Sequence, residues 1–292
     1  MMKICLIGEF TNPGWEGSAT NKVQRALLKE LGSSQKIFGC EISEKKGKIN
    51  KIIDNGKFIN IEEGVVFNGG IISIIKALAA GKPDILHFIV LRRYMLILFP
   101  LKYLFKVKIA VTFHDTLDFR NIEGSEKIYF RKLLYYIAGT FADKIFCYNK
   151  SDLVLVEKIF GKKVELVMNG TYFKRRNFVP DNSLPVIFYA GGRKKIYKGY
   201  HLLVKALEGI ESNFKLIICG EGETKENNES YPGQLNEKQY PELLSSSDIA
   251  VIPSLYESFS LVAIEALTTG LPVVISNSCG AAEYLTDVPD AF

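Results

Sequence analysis

The sequence contains no Asp-x-Asp, the carboxylate pair with which many enzymes hold a divalent cation against a phosphate. No Gly-x-Gly-x-x-Gly follows the first apolar strand, so a dinucleotide-binding oxidoreductase loses its main support. The longest apolar run, Tyr94 to Leu101, falls well short of the ~20 residues of a membrane span. The apolar run before Glu9 is likewise too short for a signal-peptide core. Five cysteines (Cys5, Cys40, Cys147, Cys219, Cys279) are odd in number and scattered, which argues against a disulfide framework and for reduced, buried thiols in the cytoplasm. Basic residues are not interleaved with aromatics in a nucleic-acid-binding module, so no nucleic-acid partner is expected.

What is present is an ordinary globular composition: 292 residues, 47% hydrophobic and 24% charged, long enough for two domains. The net charge of +5 hides an asymmetry. Residues 1–180 carry 29 Lys and Arg against 17 Asp and Glu, whereas residues 181–292 carry 8 against 15. Charge segregated in this way points to different partners for the two halves, although solvated lysine-rich stretches such as Lys45 to Lys57 account for part of the excess.

Short apolar strands alternate with helical patterns along the chain, the mark of an open parallel α/β sheet. Strands are expected to begin at Lys3, Gln35, Asp84, Lys108, Lys144 and Val164, with helices near Ser18 to Leu31, Gly70 to Ala80, Ser125 to Gly139 and Lys150 to Phe160. A second alternation has strands near Val186, Lys215, Ile249 and Val273 and helices near Gly199 to Leu207, Lys238 to Leu244 and Phe259 to Thr269. The pattern divides into an N-terminal domain (1–172), a linker (173–184) rich in charge, proline and polar residues, and a C-terminal domain (185–292). Two doubly wound Rossmann-like domains facing a cleft are the expected architecture, with ligands at the carboxyl ends of the strands.

The most informative stretch runs from Ser254 to Ser276 and holds two carboxylates, Glu257 and Glu265, with seven residues between them. Ser258 is the expected N-cap of the following helix, whose start at Ser258, Phe259, Ser260 and Leu261 offers N–H groups to an anion. Eight residues at ~1.5 Å rise separate the carboxylates by up to ~12 Å. Retaining glycosidases hold theirs ~5–5.5 Å apart, so this pair suits the flanks of an elongated ligand. Upstream, Gly191-Gly192-Arg193 and Lys198-Gly199 follow the strand Val186 to Ala190, and Gly220-Glu221-Gly222 follows the strand Phe214 to Cys219. A guanidinium fork and a mobile ammonium suit a diphosphate, and glycine lets backbone approach a base or phosphate.

This set of motifs resembles that of the retaining, GT-B-fold glycosyltransferases of family 4 (glycosyl transferases group 1): Glu-x7-Glu, Gly-Arg…Lys-Gly and a Gly-x-Gly turn, in order, over roughly residues 185–285. The resemblance implies that Arg193 and Lys198 bind the diphosphate without metal, Glu257 holds the donor sugar and Glu265 the ribose. It implies donor contacts from Gly192, Gly220, Gly222, Ser258, Phe259, Ser260 and Leu261. In the first half, the loop Gly14 to Thr20 loosely resembles the family's glycine-rich loop, with Gly17 and Ser18 near donor and acceptor. An ordinary turn with a Ser18 cap fits it equally. His114, at the end of the strand Lys108 to Phe113, stands where the family commonly has a histidine near the transferred sugar. Simple capping of strand and loop is the alternative. His87 reads as a core histidine, and His201 carries no signal.

The activity implied is transfer of a sugar from a nucleoside diphosphate donor, UDP-linked by expectation, to a hydroxyl of a glycan or lipid-linked acceptor, with no cofactor and no metal. A GT-B-fold nucleotide-sugar epimerase, or a non-catalytic nucleotide-sugar-binding subunit, are the alternatives. The basic N-terminal half, with the segment Leu91 to Lys108, is a candidate for peripheral contact with the inner face of a membrane. The apolar run Tyr94 to Phe99 reads better as a buried helix. Family members continue past the point that corresponds to Phe292, so the second domain is expected to be C-terminally incomplete.

Overall fold

Successive residues of the central strands bury against different cores, as a sheet covered on both faces requires. In the strand Lys3–Gly8, Cys5 and Ile7 join one cluster with Leu86, Phe88 and Val111, while Ile4 and Leu6 join another with Leu28 and Val66. In the strand Val186–Ala190, Val186 and Phe188 pack on one side, Ile187 and Tyr189 on the other. The computed structural model describes residues 1–10, 19–42, 56–114, 127–161, 163–220, 229–233, 235–236 and 238–285. It divides into a first unit that runs to Val167 and a second that starts at Met168.

The first unit contains β1 (Lys3–Gly8), α1 (Ala19–Gly32), β2 (Lys36–Ile42), β3 (Lys57–Ile61), β4 (Gly64–Gly69), α2 (Ile71–Gly81), β5 (Ile85–Phe88), α3 (Leu101–Phe105), β6 (Lys108–Thr112), α4 (Lys127–Phe141), β7 (Lys144–Cys147), α5 (Lys150–Phe160) and β8 (Val164–Leu166). Its sheet has the order β3-β4-β2-β1-β5-β6-β7-β8, parallel except for the antiparallel pair of β3 and β4. The direction of winding reverses between β1 and β5. At that point Glu9 and Arg92 form a two-pronged ion pair, with Arg92 Nε and Nη2 donating to the two carboxylate oxygens at 2.6 and 2.9 Å. α5 starts where the Asp152 N–H donates to Asn149 Oδ1 at 2.7 Å, a side-chain N-cap.

The second unit contains β9 (Val186–Ala190), α6 (Tyr200–Leu207), β10 (Lys215–Cys219), β11 (Glu229–Gly233), α7 (Gln239–Ser245), β12 (Ile249–Ile252), α8 (Leu261–Thr269) and β13 (Val273–Ile275). Its sheet, all parallel, has the order β11-β10-β9-β12-β13. Winding reverses between β9 and β12, so the loops after these two strands flank the point where open α/β sheets take ligands. The segment expected as a linker is anchored on this unit. The Arg176 N–H donates to Thr269 O at 3.1 Å, and Arg176 Nη1 donates to Ser245 O and Ser247 O at 2.9 and 2.8 Å.

Two expectations are corrected. The apolar run Tyr94 to Phe99 lies largely in a 3-10 turn (Arg93–Leu98) rather than a buried α-helix. Met95, Leu98 and Phe99 are buried, but Ile97 is exposed, and on α3 Tyr103 and Leu104 stand 71% and 70% exposed. The helix expected from Ser258 starts only at Leu261. Before it, Glu257 forms an isolated parallel bridge with Cys279 and residues 258–259 bend: the Gly280 N–H donates to Glu257 O at 2.9 Å and the Ala281 N–H to Phe259 O at 2.6 Å. All five cysteines are buried thiols, and burial pushes those of Cys147, Cys219 and Cys279 up to about 12.

Candidate functional site

The loop after β9 is folded onto its neighbours by glycine. The N–H groups of Gly191 and Gly192 both donate to Cys219 O at the end of β10, at 3.1 and 3.0 Å. Gly220 has φ +122°, and a β carbon there would stand 2.8 Å from the Gly192 nitrogen. The turns after β9 and β10 are therefore in backbone contact. Further on, Gly199 adopts φ +73°, and a β carbon there would stand 1.9 Å from Pro253 O. Only glycine lets the β9 loop lie against the loop after β12, where the Leu255 N–H donates to Tyr197 O at 2.8 Å.

This close approach brings the expected charges together. Lys198 Nζ donates to Glu257 Oε1 at 2.8 Å, with both side chains largely buried. Ser254 Oγ donates to Glu257 Oε2 at 3.3 Å. The Arg193 guanidinium lies over the Tyr200 ring, 5.1 Å from its centroid. Glu265, on the face of α8 turned to the core, is 3% exposed. Its Oε2 accepts a hydrogen bond from the Tyr240 hydroxyl at 2.8 Å. Burial, and then the Glu265 charge, hold the Tyr240 phenol well above its ordinary pKa, so it stays a donor. At the head of α8, Phe259 and Leu261 are buried, and Ser260 caps the helix by position only, at φ +85° with no side-chain cap bond.

Gly192, Arg193, Lys198, Gly220, Glu257, Ser258, Phe259, Ser260, Leu261 and Glu265 thus all lie in the second unit, at or next to the carboxyl ends of β9, β10 and β12. Gly222, Gly17 and Ser18 lie outside the described residues. His114 follows β6 in the first unit, with its ring 5.1 Å from that of Tyr148. His87 bonds Thr112 Oγ1 through Nε2 at 2.8 Å, and burial, aided by His114, lowers its pKa to about 4.

Sequence reasoning missed the tyrosines that hold the site. The Tyr189 hydroxyl, within a buried strand, shares its one proton between Gly192 O at 3.0 Å and Lys198 O at 3.3 Å, tying both ends of the loop that carries Arg193. A phenol inside an apolar run must find a partner. That was the available signal for Tyr189; Tyr240, between Lys238-Gln239 and Pro241-Glu242, offered none.

The parallel sheet, the glycine turns and the paired charges at the winding reversal define a Rossmann-like unit with a polar, glycine-lined site. Residues 173–290 match the family described as glycosyl transferases group 1. An uncharacterized glycosyltransferase of Methanocaldococcus jannaschii is 33% identical over 127 residues, 39% of this chain and 32% of that protein. The chain spans about a third of the length of the curated relatives it matches. Among solved structures, sucrose-phosphate synthase from Thermosynechococcus elongatus superposes with a TM-score of 0.73 at 17% identity, covering 96% of this chain and 82% of that one. Anabaena HepE in complex with UDP and glucose gives 0.70 at 16% identity, covering 98% and 83%. These likenesses establish the fold class as that of GT-B glycosyltransferases.

Proposed function

We propose that the protein transfers a sugar from a nucleoside diphosphate donor to a hydroxyl of a glycan or lipid-linked acceptor, with retention at the anomeric carbon and without a metal. The observation that carries this reading is the meeting of Lys198 with Glu257 beside the Gly192 and Gly220 turns. A cation and a hydrogen-bond acceptor set side by side suit a ligand that is anionic at one end and hydroxylated at the other. The match of residues 173–290 to the group 1 family and the UDP held by the Anabaena protein support a nucleotide-sugar donor.

In this reading the bond from the anomeric carbon to the diphosphate oxygen breaks, and its electron pair stays on the diphosphate. Lys198 and Arg193 stabilise that growing charge. Glu257 accepts hydroxyl hydrogen bonds from the sugar, and Glu265 accepts those of the ribose. The acceptor oxygen bonds to the anomeric carbon on the face the diphosphate leaves, and its proton passes to the departing phosphate oxygen.

Peripheral membrane contact at the inner face is part of the same reading, supported by exposed Ile97, Tyr103 and Leu104 next to Lys106. Among the described residues no helix is long and apolar enough to cross a membrane. The test of the activity is product analysis with UDP-glucose, UDP-galactose and GDP-mannose in EDTA, with and without sugar acceptors. The expected product is an α-linked glycoside, lost at least ~100-fold in Arg193→Ala and in Lys198→Ala, by the scale of removing one charged transition-state contact. Full turnover in both variants, or donor isomerised with no acceptor present, contradicts the assignment.

A further inference from the structure

A carboxylate that reads a ribose must hold its plane in one orientation, and a side chain with several rotatable bonds does not fix that orientation unaided. Glu265 is almost fully buried in α8, and one of its oxygens, Oε2, is fixed by the Tyr240 hydroxyl at 2.8 Å. Tyr240 is itself held. It sits in the first turn of α7, and its ring stands edge-on to Phe188 of β9 at 5.7 Å and to Phe173 at 5.9 Å. Phe188 is wholly buried in the central strand. The hydroxyl is thus delivered from a rigid aromatic wedge. Because burial and the nearby carboxylate keep the phenol protonated, the donor does not switch off within the working pH range.

We propose that Tyr240 is the positioning residue that sets the plane of the Glu265 carboxylate for the vicinal 2′ and 3′ hydroxyls of a ribose, and so gives the site its preference for ribonucleotides. The proposal rests on the reading of this site as one for a nucleoside diphosphate sugar. Tyr240 does not touch the ligand in this scheme. It acts through Glu265, so its removal weakens ribose contacts and leaves base and phosphate contacts intact.

Isothermal titration of the whole protein with UDP, ADP and GDP, and with the 2′,3′-dideoxy form of each, tests both layers separately. The wild type is expected to favour one ribonucleotide over its dideoxy form. Tyr240→Phe keeps the ring and deletes one hydrogen bond to a charged group. It is expected to weaken that ribonucleotide about tenfold and to leave the dideoxy form within about twofold, the scatter of a site whose other contacts are untouched. Tyr240→4-aminophenylalanine, which keeps both ring and an N–H donor, restores most of the preference, and it carries the test if the phenylalanine variant does not fold. Loss of affinity equal for both ligands, or no loss at all, overturns the positioning role while leaving the nucleotide site standing. A wild-type protein that binds none of the three ribonucleotides overturns the underlying reading, and this proposal with it.

Discussion

Ser260 occupies φ +85° and ψ +89°, backbone that glycine adopts at little cost and a residue with a β carbon does not. Its hydroxyl is buried and makes no hydrogen bond among the described residues. Strain and an unsatisfied polar atom both disfavour serine here, so Ser260→Gly is expected to raise stability by about 1 kcal/mol, measured as a higher denaturant midpoint at unchanged slope. A lower midpoint would show that the hydroxyl is in use. Gly199 is the opposite case. With Pro253 O only 1.9 Å from any added β carbon, Gly199→Ala is expected to cost on the order of 3 kcal/mol and to separate Lys198 from Glu257, visible as a fall in both thermal stability and nucleotide affinity. The identities of Glu257, Lys198 and the glycines were legible in the sequence, because charge and the absence of a β carbon are properties of the residue itself. The left-handed backbone at Ser260 was not, since it belongs to a bent segment whose Glu257 and Phe259 carbonyls accept from Gly280 and Ala281, residues distant in sequence. The helix accordingly starts at Leu261 and not at the expected Ser258.

At the scale of elements, most strands and helices follow from apolar spacing, because a sheet buried on both faces demands near-continuous hydrophobic strands. Among the strands, β3, β4 and β11 escaped reading, β4 although it buries Val66 and Phe67. β3 lies at the sheet edge, with Phe58 exposed and resting edge-on against Phe67 at 5.0 Å, and its charged neighbourhood hides the hairpin with β4. β11 likewise lies at the edge of the second sheet. The loop from Gly191 to Gly199 has no regular structure over most of its length, so its shape depends on side chains. Tyr189→Phe removes the hydroxyl that holds the carbonyls of Gly192 and Lys198. A loss of about 1–2 kcal/mol in stability is expected, with a rise in KM for donor as the loop loosens. Unchanged kinetics at reduced stability would confine Tyr189 to folding alone.

For the molecule as a whole, pH and surface charge give two handles. His87 is held neutral, with its pKa lowered to about 4 from an ordinary 6.5 by burial and then by His114. Between these values the unfolded chain binds the proton that the folded chain refuses, so this contribution is fully present above about 6.5 and is lost as pH falls toward about 4. Denaturant midpoints across that window are expected to fall with acid, and to fall less in His87→Gln; equal slopes would remove His87 as the cause. The excess of basic residues over 1–180 and the exposed Tyr103 and Leu104 lead to the expectation of salt-sensitive binding to phosphatidylglycerol vesicles. Tyr103→Glu with Leu104→Glu should weaken that binding, and no change in cosedimentation would contradict the docking.

In the proposed reading the second unit holds a nucleoside diphosphate through Glu265, Lys198 and the glycine turns. It is tested most directly by thermal unfolding with UDP, GDP and ADP in EDTA, for the wild type and for Glu265→Ala. A ligand at about 100 times its Kd stabilises the fold by about 2.7 kcal/mol. The account predicts a rise in Tm with one of these nucleotides that persists in EDTA and disappears in Glu265→Ala. No rise with any of the three, or a rise that the variant retains in full, would contradict it.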